Sequence, residues 1–214
     1  MTKHRTRRFS EWTSTAKTCP LTATLMAILV SLSYLVWIKV EINWLYALIG
    51  LPLLCFAITG LIYKLLFPGF KRNNITNLLA HLVWTSVVAV ATSLIATMAF
   101  HWEILLPIVP VGLIASGITH GKNKTAAYSY AAEIMATYIY VAALSFAGLF
   151  PMTTIMVFLT IPIAIGCSKT IVNSIEGGAH LTKDLGARTA NLIHLFSILL
   201  SVSFIAAMLL AQNA

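Results

Sequence analysis

The sequence predicts an all-α membrane protein, a bundle of seven transmembrane helices with its N-terminus in the cytoplasm. Three observations carry that prediction. Only 9% of the 214 residues are charged and 59% are hydrophobic, whereas a soluble domain carries about 25% charged residues. The mean hydropathy is +0.88, and the apolar residues gather in runs close to the ~20 residues that a helix needs to cross a bilayer. The cations fall between alternate runs, as they do where charge sets topology. These features exclude a soluble enzyme, a disordered tail and a secreted disulfide scaffold, because the surplus apolar surface needs lipid to cover it. Fourteen Lys and Arg against six Asp and Glu leave a net charge of +8. Since these cations sit in short loops beside apolar spans, no nucleic-acid partner is expected.

Residues 1–20 form a basic N-terminal segment, and 21–214 a single polytopic domain. The first span, 21–38, follows Lys3, Arg5, Arg7 and Arg8, which could mark a signal peptide. Its apolar stretch runs into Lys39-Val40-Glu41 without a small-x-small site, so it is expected to stay as the first helix. The stretch from Phe9 to Lys17, with Trp12, suits the membrane interface. Further spans run over 44–67, 76–100, 104–119, 126–148, 152–173 and 190–211. The fourth is short and carries Pro107 and Pro110, which predict a kink or tilt. No stretch alternates like a barrel strand, and backbone groups in lipid must be satisfied internally, so every span is expected to be helical.

Orientation follows from the cations. Lys3, Arg5, Arg7, Arg8 and Lys17 precede the first span; Lys64, Lys71 and Arg72 flank the second turn-round; Lys122 and Lys124 follow the fourth span; Lys169, Lys183 and Arg188 surround the sixth loop. All share one side. The opposite side has Lys39 with Glu41 and Glu103, and Trp37, Trp44 and Trp102 are expected to form its aromatic belt. The positive-inside rule places the basic side in the cytoplasm of a multi-pass protein, as in a bacterial inner membrane. The longer cytoplasmic loops, 168–189 above all, are where chemistry is expected.

Few residues carry chemistry outright. Cys19, Cys55 and Cys167 form no CxxC pair and read as small apolar residues. His81, His101, His120, His180 and His194 share no metal-ligand spacing; His81 and His194 could meet across the third and seventh helices. Glu133 lies inside an apolar span, where a carboxylate is costly and marks a functional candidate. At about 100° per residue it stands about 140° from Tyr128, while Lys124 and Tyr128 share a face. Glu133 is therefore expected to accept a bond from a Tyr or Ser hydroxyl of a facing helix. Tyr128, Tyr130, Tyr138 and Tyr140 read either as a groove lining with ring faces for a cation or as packing with each hydroxyl satisfied by a neighbour. Lys64, Lys71, Arg72, Lys122 and Lys124 read either as an anion funnel or as topology and anionic-lipid contacts. Glu176, Gly177, Gly178, His180 and Asp184 read as a weak divalent-cation loop or as solvated chain.

Three cytoplasmic stretches together resemble the UbiA superfamily of intramembrane prenyltransferases, most closely the 1,4-dihydroxy-2-naphthoate polyprenyltransferases of menaquinone synthesis. Ala16-Lys17-Thr18-Cys19-Pro20 looks like the P-K-T-L-P part of that family's opening motif, with Thr15 where the family has Arg. Lys124, Tyr128 and Glu133 keep the separations of the family's K-x-x-x-Y-x-x-x-x-E run, with Ala131 and Ala132 where glycines are usual. Asn173-Ser174-Ile175-Glu176, closed by Gly186-Ala187-Arg188-Thr189, is similar to the family's N-N-x-R-D-x-E-x-D and G-K-R-T segment.

The resemblance implies a UbiA-like bundle. It implies transfer of a polyprenyl group from a polyprenyl diphosphate to an aromatic quinone precursor, with Mg²⁺ to stabilise the leaving diphosphate. Lys17, Lys71, Arg72, Lys124, Tyr128, Asn173 and Arg188 would hold the diphosphate, and Glu176 and Asp184 are the candidates for Mg²⁺. The chain departs from the pattern where the first aspartate motif should stand. No Asp or Glu occurs between Glu41 and Glu103, and Lys64, Lys71 and Arg72 there would repel a metal. The family also implies two helices beyond the seventh, which are missing here unless a second membrane subunit supplies them. Two other functions are carried forward: a catalytically degenerate paralogue that acts as a lipid-binding or partner subunit, and a small transporter.

Overall fold

A computed structural model describes residues 22–66, 74–116, 124–177 and 185–213, with 56–66, 74–77, 124–126 and 174–177 described by their backbone alone. Among these residues the fold is all-α, with no strand. The helices are α1 (Thr22–Trp37), α2 (Trp44–Leu66), α3 (Asn74–Thr97), α4 (Leu105–Ser116), α5 (Lys124–Phe146), α6 (Ile161–Gly177) and α7 (Leu185–Gln212). A 3₁₀ turn, Trp102–Ile104, leads into α4, and a 3₁₀ segment, Met152–Thr160, leads into α6.

The surface is that of a protein whose solvent is lipid. Leu48 is 72% exposed, Leu159 70% and Phe146 76%, while Thr24, Thr92, Thr137 and Ser203 are buried. Among the described residues three stretches are long and apolar enough to cross a membrane: Leu78–Thr97, Met152–Asn173 and Leu185–Gln212. Thr22–Trp37, Trp44–Cys55 and Trp102–Ser116 are apolar but shorter. With 23 residues α5 has the length to span, but its composition is more polar because its buried face carries Tyr130, Glu133, Thr137, Tyr138 and Ser145. Its apolar side chains Met135, Ile139 and Phe146 point outward. That is the reverse of a soluble amphipathic helix.

The helices run up and down between two ends. At one end the chain turns sharply. Lys39, with φ of 58°, closes α1 in a Schellman motif: its N–H donates to Val36 and that of Val40 to Leu35, both at 3.1 Å. Gly148, φ 74°, closes α5 in the same way, through Ser145 and Leu144. Asn43 caps α2 by accepting the Tyr46 N–H (3.3 Å), and its own N–H donates to Ala96 at the end of α3 (2.7 Å). An aromatic cluster fills this end. Phe204 of α7 stands edge-on to Tyr34 of α1 (5.3 Å) and to Phe150 (5.4 Å). Trp44 and Trp102 are exposed here. Trp37 departs from the expected belt: it lies one turn from Tyr34 and stacks inward on Phe204 at 5.6 Å.

Packing between α3 and α4 depends on Gly112. A Cβ there would stand 2.7 Å from Thr85 Oγ1, 2.9 Å from Leu82 Cδ2 and 3.4 Å from the Leu82 Cα, so only glycine lets the two backbones approach this closely. The prolines of α4 are both buried. Pro107 sits in the first turn, where no intrahelical donor is lost. Pro110 is inside the helix and withholds the N–H that would bond the Leu106 carbonyl. The Tyr140 hydroxyl of α5 donates to that freed carbonyl instead, at 3.2 Å. Tyr140→Phe should therefore cost about 0.5–1.5 kcal/mol, seen as a lower thermal midpoint in detergent. Combining it with Pro110→Ala, which restores the helix's own donor, should shrink that loss; an unchanged loss would show that the hydroxyl does not serve the proline gap.

Candidate functional site

The other end of the bundle gathers the C-terminus of α4, the start of α5, the end of α6 and the start of α7. Here the interior is polar. Glu133 of α5 is buried, 7% exposed. The Ser116 hydroxyl, the last residue of α4, donates to its Oε2 and also lies 2.7 Å from the Leu113 carbonyl of its own helix. Ser129, one turn before Glu133, donates to Oε1 at 3.0 Å. This pairing across α4 and α5 is the arrangement in which a carboxyl inside a membrane bundle is tolerated.

One turn away, the hydroxyls of Tyr130 and Thr189 meet at 2.8 Å and join α5 to α7. Cys167 of α6 is buried as well. Both Tyr130 and Thr189 are fully buried. Outside this pair, Arg188 is exposed and its guanidinium donates to Thr170 Oγ1 of α6 at 3.3 Å. The result is an inner set of neutral and acidic groups, with Arg188 held at its rim.

Three of the four tyrosines of α5 have their hydroxyls satisfied by neighbours. The Tyr138 hydroxyl meets Thr160 at 2.6 Å, Tyr130 meets Thr189, and Tyr140 meets Leu106. Tyr128 is exposed and faces away from Glu133, as the helical spacing predicts. Asn173 is exposed on α6. Lys124 is the first residue of α5 and Glu176 lies in the last turn of α6, but their side chains fall outside the described residues, and so do Lys17, Lys71, Arg72 and Asp184. The described residues therefore bring together Glu133 with Tyr130, Thr189 and Arg188, and they leave Tyr128 and Asn173 on the outer surface. They contain no group of three or more His, Cys, Asp or Glu poised to hold a metal; the Mg²⁺ candidates lie elsewhere.

Sequence reasoning did not single out Ser116, Ser129 or Thr170. The i, i+4 spacing of Ser129 and Glu133 was the available signal. Nothing local marks Ser116, which reaches Glu133 only because α4 and α5 pack antiparallel. Comparison of the chain with protein families, curated proteins and solved structures returns no significant match.

Glu133→Ala removes the acceptor of Ser129 and the cross-helix acceptor of Ser116, which keeps the Leu113 carbonyl, and should cost about 1–3 kcal/mol. Glu133→Gln keeps an acceptor oxygen and should cost less. Thermal unfolding of the two variants in detergent tests this: equal stability of the alanine variant and the wild type would mean that the carboxyl contributes nothing to the α4–α5 joint.

Proposed function

We propose that the chain is a multi-pass prenyltransferase-type membrane protein that holds a polyprenyl diphosphate at the Arg188 end of the bundle. The observation that supports this most directly is the Tyr130–Thr189 bond at 2.8 Å. It joins two of the three stretches that resemble the prenyltransferases, one at the start of α5 and one at the start of α7. Residues far apart in sequence thereby share one polar end, as a common ligand would require.

The chemistry is compatible with that ligand. A guanidinium offers paired donors to phosphate oxygens, and Arg188 is exposed to accept them. Lys124 begins α5 at the same end, and Lys17, Lys71 and Arg72 belong to segments on the same side in the seven-span reading. The polyprenyl tail would lie against the apolar outer faces, and an aromatic acceptor would complete the transfer. Mg²⁺, when bound through Glu176 and Asp184, would neutralise the departing diphosphate. The absence of any acid between Glu41 and Glu103 favours a second reading, in which the chain binds the lipid, alone or beside a second membrane subunit, without turning it over.

Farnesyl diphosphate binding to the purified protein in detergent, with and without Mg²⁺, tests the proposal. Arg188→Ala should weaken binding about tenfold, the loss of roughly one charge-assisted contact. Diphosphate release with a dihydroxynaphthoate acceptor supports the enzyme; binding without release supports the second reading; no binding overturns both. Topology is tested separately. The proposed seven spans, with the N-terminus in the cytoplasm of a bacterial inner membrane, predict an active alkaline phosphatase fused after Asn213 and an inactive one fused within 117–123. The reverse pattern would invert the cation argument.

A further inference from the structure

At Gly50 and Gly112 a Cβ would press on a neighbouring helix, which accounts for both glycines. Gly166, in the middle of α6, has no such reason: a Cβ there would meet nothing within 4 Å. A glycine inside a helix weakens it. What this one does is leave a notch in the partly exposed surface of α6. The Thr170 hydroxyl, one turn on, donates to the Gly166 carbonyl at 2.8 Å and accepts from the Arg188 guanidinium at 3.3 Å. Arg188 is thereby braced one turn from the notch, on its polar side.

Two contacts show that α6 and α7 lie antiparallel. Arg188 at the start of α7 meets Thr170 near the end of α6, and Thr153, ahead of α6, donates to the Ser203 carbonyl far along α7 at 2.7 Å. The polar end of this flank is built from both helices. On α6, Asn173 is one turn from both Lys169 and Thr170, so the three are contiguous. On α7, Asn191 is one turn from Arg188. Lys169, Asn173, Arg188 and Asn191 are all exposed. Away from the polar end the same faces turn apolar. Ile163 continues the Thr170–Gly166 face of α6, and Leu195, Ile198 and Val202 continue the Arg188 stripe of α7 at spacings of three and four residues; all four are exposed. The acids whose side chains are described lie elsewhere: Glu41 and Glu103 at the aromatic end, and Glu133 buried against α4.

Two cations and two amides at one level, apolar stripes on two helices beneath them, and a notch where they meet fit an amphiphile with an anionic head. We infer that the α6–α7 flank is a binding site for an anionic phospholipid of the surrounding membrane. Its phosphate is held by Lys169 and Arg188, its glycerol region lies over Gly166, and its acyl chains run along Leu195 and Ile198. Basic pockets between membrane helices recognise such headgroups. Cations that only set topology need neither the notch nor the bracing, and a bare anion would leave the stripes without a role. Arg188 also serves the diphosphate reading, but this inference does not rest on it, since Lys169 and Gly166 have no part there.

Native mass spectrometry of the full chain in detergent tests it, with added palmitoyl-oleoyl phosphatidylglycerol or the zwitterionic phosphatidylcholine of the same chains. The wild type should retain phosphatidylglycerol in preference. Lys169→Ala should weaken that retention about fivefold, the loss of one cation at the membrane surface. Gly166→Leu should weaken it by a similar factor while the thermal midpoint holds or rises, because leucine favours a helix and extends into open space. A merely structural glycine would lower the midpoint and leave lipid retention alone. Equal retention of the two lipids by the wild type, or unchanged phosphatidylglycerol retention in both variants, would overturn the site. Displacement of the lipid by millimolar inorganic phosphate would also overturn it, by reducing it to a bare anion site. Farnesyl diphosphate binding is a separate measurement on the same protein, so either proposal can fail alone.

Discussion

A polar group inside a bilayer is costly unless it finds a partner, and α5 is the element through which this chain chiefly pairs such groups between helices. Its inner face carries Tyr130, Glu133, Tyr138, Tyr140 and Ser145, and together they reach α4, α7 and the 3₁₀ segment ahead of α6. Tyr130 joins Thr189 of α7, Glu133 accepts from Ser116 of α4, Tyr138 joins Thr160 ahead of α6, and Ser145 meets Thr154 at 2.6 Å. Lipid gives helices no hydrophobic reason to associate. These bonds fix which helices are neighbours and in what register, and a slip of one turn along α5 would leave several hydroxyls and a carboxyl unpaired at once.

The first half of the bundle coheres by another means. Where α3 meets α4 the contact is close approach, made possible by Gly112 against Leu82 and Thr85. Gly50 of α2 plays the same part, since a Cβ there would stand 2.7 Å from Ile95 Cγ2. The two regimes meet at α4. That helix is packed tightly on α3, donates from Ser116 to Glu133, and offers the Leu106 carbonyl left open by Pro110 to Tyr140. A proline in the middle of a membrane helix is thus balanced by a tyrosine on the helix beside it.

How much of this the sequence reveals depends on the distance over which each cause acts. The positions of the helices are legible because apolar run length acts locally: the expected spans at 44–67 and 126–148 compare with Trp44–Leu66 and Lys124–Phe146. The outward placement of Tyr128 and the inward placement of Glu133 follow from helical period alone. The 3₁₀ geometry of Met152–Thr160 was not legible, because an apolar run does not distinguish it from α-helix. Nor was the partner of each tyrosine, since Thr189 lies 59 residues from Tyr130 and only the packing brings them together. Trp37 shows the same limit: composition suggests the interface, and its place beside Tyr34 turns it against Phe204.

The polar end of the bundle divides into a fixed interior and an open rim, and that division bears on what it could recognise. Glu133, Tyr130 and Thr189 bond one another's helices and are buried, so they hold the ends of α4, α5 and α7 in place. Arg188 is exposed immediately beside Thr189, steadied by Thr170 of the neighbouring helix. A cation on a rigid base loses less freedom on binding an anion than one on a loose chain. Beyond it, the exposed Ile165 of α6 and Leu195 of α7 carry an apolar surface away from the charge. On the proposed reading, an anionic head would meet Arg188 and a long hydrocarbon tail would lie along this apolar surface within the lipid, without needing a deep internal cavity.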